Sequence, residues 1–123
     1  SAVSWPVLDG GATQARVQAQ RAVLDAAEAN YRATVLAALQ DVEDNLAALD
    51  QGRVRVATLE RAAEAADGAL ALAQFRYQSG LIDFTTLLDT QRSALSAHDT
   101  LASARTDWLL AHVRLAKALG VRV

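Results

Sequence analysis

From residue 12 to residue 79 the chain contains no proline, and apolar residues return at spacings of four and three. Strands alternate with period two and usually end within about ten residues, so a segment this long with this rhythm has only one regular outlet, the α-helix. Val35, Leu39, Val42, Leu46 and Leu49 follow the a/d pattern of a coiled-coil seam. Upstream, Val17, Leu24 and Tyr31 continue in sevens. Downstream, Leu59, Ala63, Ala66, Leu70, Ala73 and Tyr77 resume the rhythm in a shifted register. The sequence therefore predicts a discontinuity in the heptad frame, with a local change of supercoil.

Gly80 interrupts this pattern, and Asp83 is placed to cap a second helix. That helix is expected over residues 84–119, ending at Gly120. Leu87, Ala94, Leu101, Trp108 and Leu115 recur every seven residues, and Ala97, Ala104, Ala111 and Ala118 form a second row. Large residues alternating with alanine let a neighbouring helix come close. Before residue 12, Pro6, the Gly10-Gly11 pair and the alternation Val3, Trp5, Val7 predict a short extended segment and a turn over residues 1–11. The organisation expected is thus an extended segment and turn (1–11), a long helix (12–79), a tip turn (80–83), a returning helix (84–119) and a tail (120–123). The fold class is all-α, a long antiparallel helical hairpin of coiled-coil type.

At 1.5 Å per residue the two helices would measure ~100 Å and ~54 Å, so nearly half of a continuous first helix would lack a partner. The alternative is that Gly52 ends a first helix and the chain folds back as three. A glycine inside a helix costs only about 1 kcal/mol. The residues after Gly52 are helix formers, which favours continuity. A bare seam through Val17–Leu39 calls for another chain or for a further part of the same chain, and for the isolated chain the simplest arrangement is a two-fold dimer forming a four-helix bundle.

Composition narrows the function. Alanine fills 28 positions and leucine 18, aromatics are only 5%, and cysteine is absent. Disulfides, thiolate metal sites and cysteine nucleophiles are excluded. A net charge of −2 gives no basic footprint for nucleic acid. No run reaches the 18 uninterrupted apolar residues typical of a membrane-spanning helix. His98 and His112 lie 14 residues apart, ~21 Å along a helix, too far to share a metal. Asp41, Glu43 and Asp44 read as a wet helix face, and Glu60, Glu64 and Arg61 as local ion pairing. No phosphate loop, nucleophile elbow or metal motif is present, so neither an enzyme nor a cofactor or metal site is expected.

The tip and its flanks carry the most specific signal: Arg76-Tyr77-Gln78-Ser79-Gly80-Leu81-Ile82-Asp83-Phe84, then Leu87-Leu88-Asp89-Thr90-Gln91-Arg92. Together with Ser4-Trp5-Pro6-Val7-Leu8-Asp9-Gly10-Gly11, Asp41-Val42-Glu43-Asp44 and Ala118-Leu119-Gly120, these stretches resemble, in order, the second repeat of the TolC-like outer-membrane efflux protein family. The resemblance implies a C-terminal fragment of a longer trimeric protein, with barrel strands in the outer membrane and helices forming a periplasmic tunnel. Residues 1–11 would then be the remnant of a membrane strand. The partners implied are a periplasmic adaptor protein and an inner-membrane pump. The resemblance also assigns Asp89, Arg92 and Tyr77 to the entrance gate, with Thr85 and Thr86 where many members carry an acid or a bulky apolar residue. Ser79, Gly80, Leu81 and Ile82 fall at the adaptor-docking tip. Without the resemblance, Asp89 and Arg92 read as a pair on one helix face, Tyr77 as core, and the chain as a coiled-coil oligomerisation or scaffold module.

Overall fold

The computed structural model describes residues 5–120, with side-chain surroundings from residue 10 onward. Two helices make up nearly all of it, α1 (Trp5–Gln78, 74 residues) and α2 (Phe84–Ala118, 35 residues). The all-α helical hairpin expected from the heptad rows is what forms. The chain divides into two units, Ser1–Gln40 and Asp41–Val123. In the first, every residue from Gly10 to Gln40 is exposed. In the second, the C-terminal part of α1 and all of α2 form the packed hairpin.

The extended segment expected over residues 1–11 is not found where the structure describes it, because α1 already begins at Trp5. Residues 1–4, including Val3 of the alternation, lie outside the described residues. Pro6 is the second residue of the helix, where no backbone N–H is needed and its fixed φ suits the first turn. The two glycines cost about 1 kcal/mol each, which the long helix absorbs. The tail from residue 121 is likewise outside the described residues.

Gly52 does not break α1. It lies on the seam, and the heptad frame does not slip there. Ala57 aside, the half-buried and buried positions of α1 run Val42, Asn45, Leu49, Gly52, Val56, Leu59, and on through Ala63, Ala66 and Leu70 to Ala73, at spacings of three and four. Leu46, expected on the seam, is half exposed, and Asn45 takes the position instead. Its amide stays satisfied by donating to the Asp41 carbonyl at 2.7 Å. The expected discontinuity arose from assuming that every seam position is apolar. Once Asn45 and Gly52 are admitted, a single frame covers all of α1, and Val17, Leu24 and Tyr31 fall on the same sevens as Asn45, Gly52 and Leu59.

Gly52 is on the seam because Trp108 is opposite. A Cβ built on Gly52 would lie 2.9 Å from Trp108 Cδ1, closer than packed carbons tolerate. Around this contact Val56, Ala63, Leu101 and Ala104 form the buried core, with Leu59, Ala97 and Trp108 against it. Five of the eight buried apolar residues in the hairpin are alanines, so the core is thin and rests on close backbone approach. Three exposed pairs bridge the helices along its flanks: Arg55–Asp107 at 3.9 Å, Glu60–Arg105 at 3.3 Å and Asp67–His98 at 2.9 Å. Glu60, read from sequence as a local partner of Arg61, reaches across instead. Such exposed pairs contribute at most about 1 kcal/mol each, so they orient the helices more than they hold them.

Two glycine substitutions separate helix propensity from packing. Gly68 has nothing within 4 Å of a built Cβ, so Gly68→Ala is expected to raise stability by roughly 0.5–1 kcal/mol. Gly52→Ala gains the same propensity but overpacks the Trp108 ring, a cost of about 1–3 kcal/mol, and is expected to lower stability. Urea unfolding of the two variants checks this. Equal stabilisation by both would mean that Trp108 does not fill the space over Gly52.

Candidate functional site at the hairpin tip

The tip is built from two complementary helix ends. At the end of α1, Gly80 adopts φ +76°, the left-handed conformation that glycine enters without a Cβ clash. The Leu81 N–H donates to the Arg76 carbonyl at 2.8 Å and the Gly80 N–H to the Tyr77 carbonyl at 3.0 Å. These are the paired bonds of a Schellman motif, which satisfies carbonyls the helix leaves open. Three residues on, the Asp83 carboxylate accepts the Thr86 N–H at 2.9 Å and the Thr86 hydroxyl, capping α2. Both hydrogen bonds from Thr86, the hydroxyl foremost, favour the charged carboxylate and hold the Asp83 pKa below its usual value.

Between these ends the tip presents apolar side chains to solvent. Leu81 is 71% exposed, and Phe75 and Phe84 are exposed as well, while Ile82 is half-buried. Tyr77 lies against Phe84 with ring centroids 5.9 Å apart, tilted at 59°, which ties the two helix ends together. Phe84 and Phe75 were not singled out from the sequence. Their signal was present, since both fall off the seam frame next to the turn, where an apolar ring has no core to enter.

Four of the candidate gate residues, Thr85, Thr86, Asp89 and Arg92, occupy the first turns of α2, and the fifth, Tyr77, ends α1. Asp89 and Arg92 are both exposed and stand 4.0 Å apart, one helical turn removed. At that distance and exposure the pair is worth little and leaves the Asp89 carboxylate open to solvent. Thr86 is engaged in the cap, Thr85 is exposed, and Tyr77 belongs to the aromatic contact. The structure therefore brings together Asp89 with Arg92, Thr86 with Asp83, and Tyr77 with Phe84, not all five at one point.

Exposure also defines two rows on α2 that the seam analysis overlooked. Thr85, Asp89, Arg92, Ser96, Asp99, Ser103 and Thr106 recur at spacings of four and three, a polar stripe on the side of the helix away from α1. Beside it Leu88, Leu95, Ala102 and Leu109 recur every seven residues, with Leu95 and Leu109 about two-thirds exposed. α2 thus has one apolar row against α1 and a second that is mostly exposed. Elsewhere, His98 pairs with Asp67, and His112 Nδ1 sits 2.8 Å from the Trp108 carbonyl oxygen. Among the described residues no three His, Asp or Glu side chains group as a metal site, and no helix is long and apolar enough to cross a membrane.

The class of structure is a long two-helix hairpin with a capped apolar tip, a polar stripe and a second, mostly exposed apolar row. The family model for the outer membrane efflux protein matches residues 1–121. The chain belongs to that family. It is 36% identical over 118 residues to outer membrane protein OprJ of Pseudomonas aeruginosa, covering 96% of this chain and 25% of that protein. It is 34% identical to nodulation protein T of Rhizobium leguminosarum bv. viciae, covering 93% and 24%. It is 30% identical to the toluene efflux pump outer membrane protein TtgC of Pseudomonas putida, covering 96% and 24%. The chain thus spans about a quarter of the length of these relatives. No solved structure matches it.

The Asp83 cap gives a pH signature. A carboxylate whose pKa is lowered on folding stabilises the fold above its unfolded value of about 3.8, and that contribution disappears as pH falls through the folded value. Amide exchange at residues 84–87 is therefore expected to quicken, relative to the middle of α2, as pH drops below the ordinary carboxylate range. Asp83→Ala is expected to show the quickened exchange at neutral pH, and Asp83→Ser to retain most of the protection. Identical exchange in Asp83→Ala and the parent at neutral pH would show that the cap does not order the tip.

Proposed function

We propose that this chain is a wall segment of the periplasmic tunnel in the outer-membrane component of a tripartite efflux pump in a Gram-negative bacterium. Its function is passive conduction, with a gate at the hairpin tip. The observation that carries the reading is the pair of rows on α2. The spare apolar row Leu88–Leu109 suits a second neighbouring helix, and the polar stripe from Thr85 to Thr106 suits a water-filled lumen. The relatives named as efflux-pump outer membrane proteins supply the class of transport.

In a homotrimer, three copies of Asp89 would form an acidic ring near the tunnel mouth, with Arg92 partly offsetting it. Acidic rings at a constriction favour cations and resist anions. Tyr77, Thr85 and Thr86 complete the gate region by shaping the tip end of α2. The tip of Ser79, Gly80, Leu81 and the half-buried Ile82 would dock the periplasmic adaptor protein, which links the duct to the inner-membrane pump. Opening would follow from partners that bind the open arrangement more tightly than the closed one.

The isolated 123-residue chain is expected to pair with a second copy. Val17, Leu24, Tyr31, Val35 and Leu39 all stand in solvent. Each such side chain gains roughly 1.5–3 kcal/mol when fully buried. Light scattering at micromolar concentration reads this, and a well-folded strict monomer would contradict it.

The functional reading is tested in bilayers with the whole protein. Asp89→Asn is expected to lower cation preference and weaken block by divalent cations, and Arg92→Ala to strengthen both. Leu81→Asp is expected to leave the currents unchanged and abolish crosslinking to the adaptor. Currents and block that ignore both Asp89 and Arg92 would remove the gate from this end of α2.

A further inference from the structure

We propose that Trp108, seated over Gly52, is the register lock of the hairpin: it selects one of two helix alignments that the charged flanks alone do not distinguish. On α2, His98, Arg105 and His112 recur every seven residues, and on α1, Glu60 and Asp67 are seven apart. In the observed register Asp67 meets His98 and Glu60 meets Arg105. Moving α2 by one heptad would bring Asp67 opposite Arg105 and Glu60 opposite His112, so both acids would again face a basic side chain. In that shift Arg55 leaves Asp107, 3.9 Å away, and comes opposite Arg114, but with these groups on the exposed flank the difference discriminates only weakly.

Part of the seam is equally permissive. Taking Gly52 opposite Trp108 as the reference, Ala63 faces Ala97. After the shift it would face Ala104, alanine against alanine in both cases. Leu87 and Leu101 also change partners, and the sharpest mismatch falls at Trp108. Shifted, its indole would meet Leu59, and the Gly52 notch would face Leu115. A notch that leaves no room for a Cβ beside the indole accepts that ring in one alignment only.

Two further observations fit a side chain retained for its shape. The Trp108 indole N–H is buried and has no hydrogen-bond partner, an unfavourable state that a purely apolar residue would avoid. The ring is also braced, since His112 packs edge-on against it with centroids 5.2 Å apart and bonds to the Trp108 carbonyl. The tip motifs at Gly80 and Asp83 favour the same register, but they act at one end of the hairpin. The lock acts in its middle.

The chain has no cysteine, so paired cysteines report register without background. Ala63→Cys with Ala97→Cys reads the observed alignment, and Ala63→Cys with Ala104→Cys reads the alignment shifted by one heptad. With Trp108 intact, oxidation is expected to crosslink the first pair and not the second. Trp108→Ala is expected to transfer crosslinking toward the second pair. Trp108→Phe, which keeps a ring and removes the orphan N–H, is expected to keep the first pattern. Should Trp108→Ala cost the chain its helicity, the exchange variant Gly52→Trp with Trp108→Gly decides, since it rebuilds knob and notch from opposite sides. Recovered helicity with crosslinking of the first pair supports the lock. Exclusive crosslinking of the first pair in Trp108→Ala would overturn it and assign the register to the tip turn, and failure of the exchange variant to recover that pair would overturn it as well.

Discussion

Close approach between two alanine-rich helix faces is the condition on which the hairpin depends. Ala63, Ala94, Ala104 and Ala111 are all buried, and each contributes little area of its own. What they permit is contact between the helices along their length, so that Val56, Leu87 and Leu101 are sealed from water. A seam of leucines would bury more area but push the helices apart. It would also be less selective, because uniformly large layers interdigitate in several registers. Alternation of small and large residues lets the two helices lie close together, which fits the proposed role in a wall of packed hairpins.

The same thinness explains why so much apolar surface stays exposed. A two-helix core with few large residues stabilises its own hairpin and little else. The Leu88–Leu109 row, the rings at the tip and the Val17–Leu39 face of the first unit are therefore not defects of packing. They are the surfaces through which the proposed tunnel wall would meet its neighbours. At the tip the local chemistry is complete without any partner. The Schellman bonds at Gly80 and the Asp83 cap close both helix ends, so the apolar side chains they display are held in place by backbone geometry and not by a core.

Much of this was legible in the sequence. The rows of α2 stand on the seam as their spacing indicates, because each position is apolar and the period is unbroken. The turn was readable from Gly80 and Asp83, where glycine at positive φ and an Asp cap are the local solutions that chemistry offers. The middle of α1 was misread for a specific reason. Asn45 and Gly52 do not look like seam residues, and only their partners, a carbonyl one turn back and an indole across the interface, explain their placement. The start of α1 was misread because proline and paired glycines signal a turn in isolation but are tolerated in the first turns of a long helix. The spare apolar row of α2 was present as a heptad of leucines and alanines. It became visible only when exposure showed which of two apolar rows the hairpin leaves uncovered.

The central claim is that α1 passes unbroken through Gly52 with one seam from Val42 to Ala73 facing α2. Residue-by-residue amide exchange tests it most directly. The account predicts slow exchange from residue 42 to residue 73, with the amides of Gly52 and Arg53 as protected as their neighbours, and matching protection along α2 from Leu87 to Leu115. A window of fast exchange around residues 50–54, flanked by protected segments, would place a turn there and contradict it.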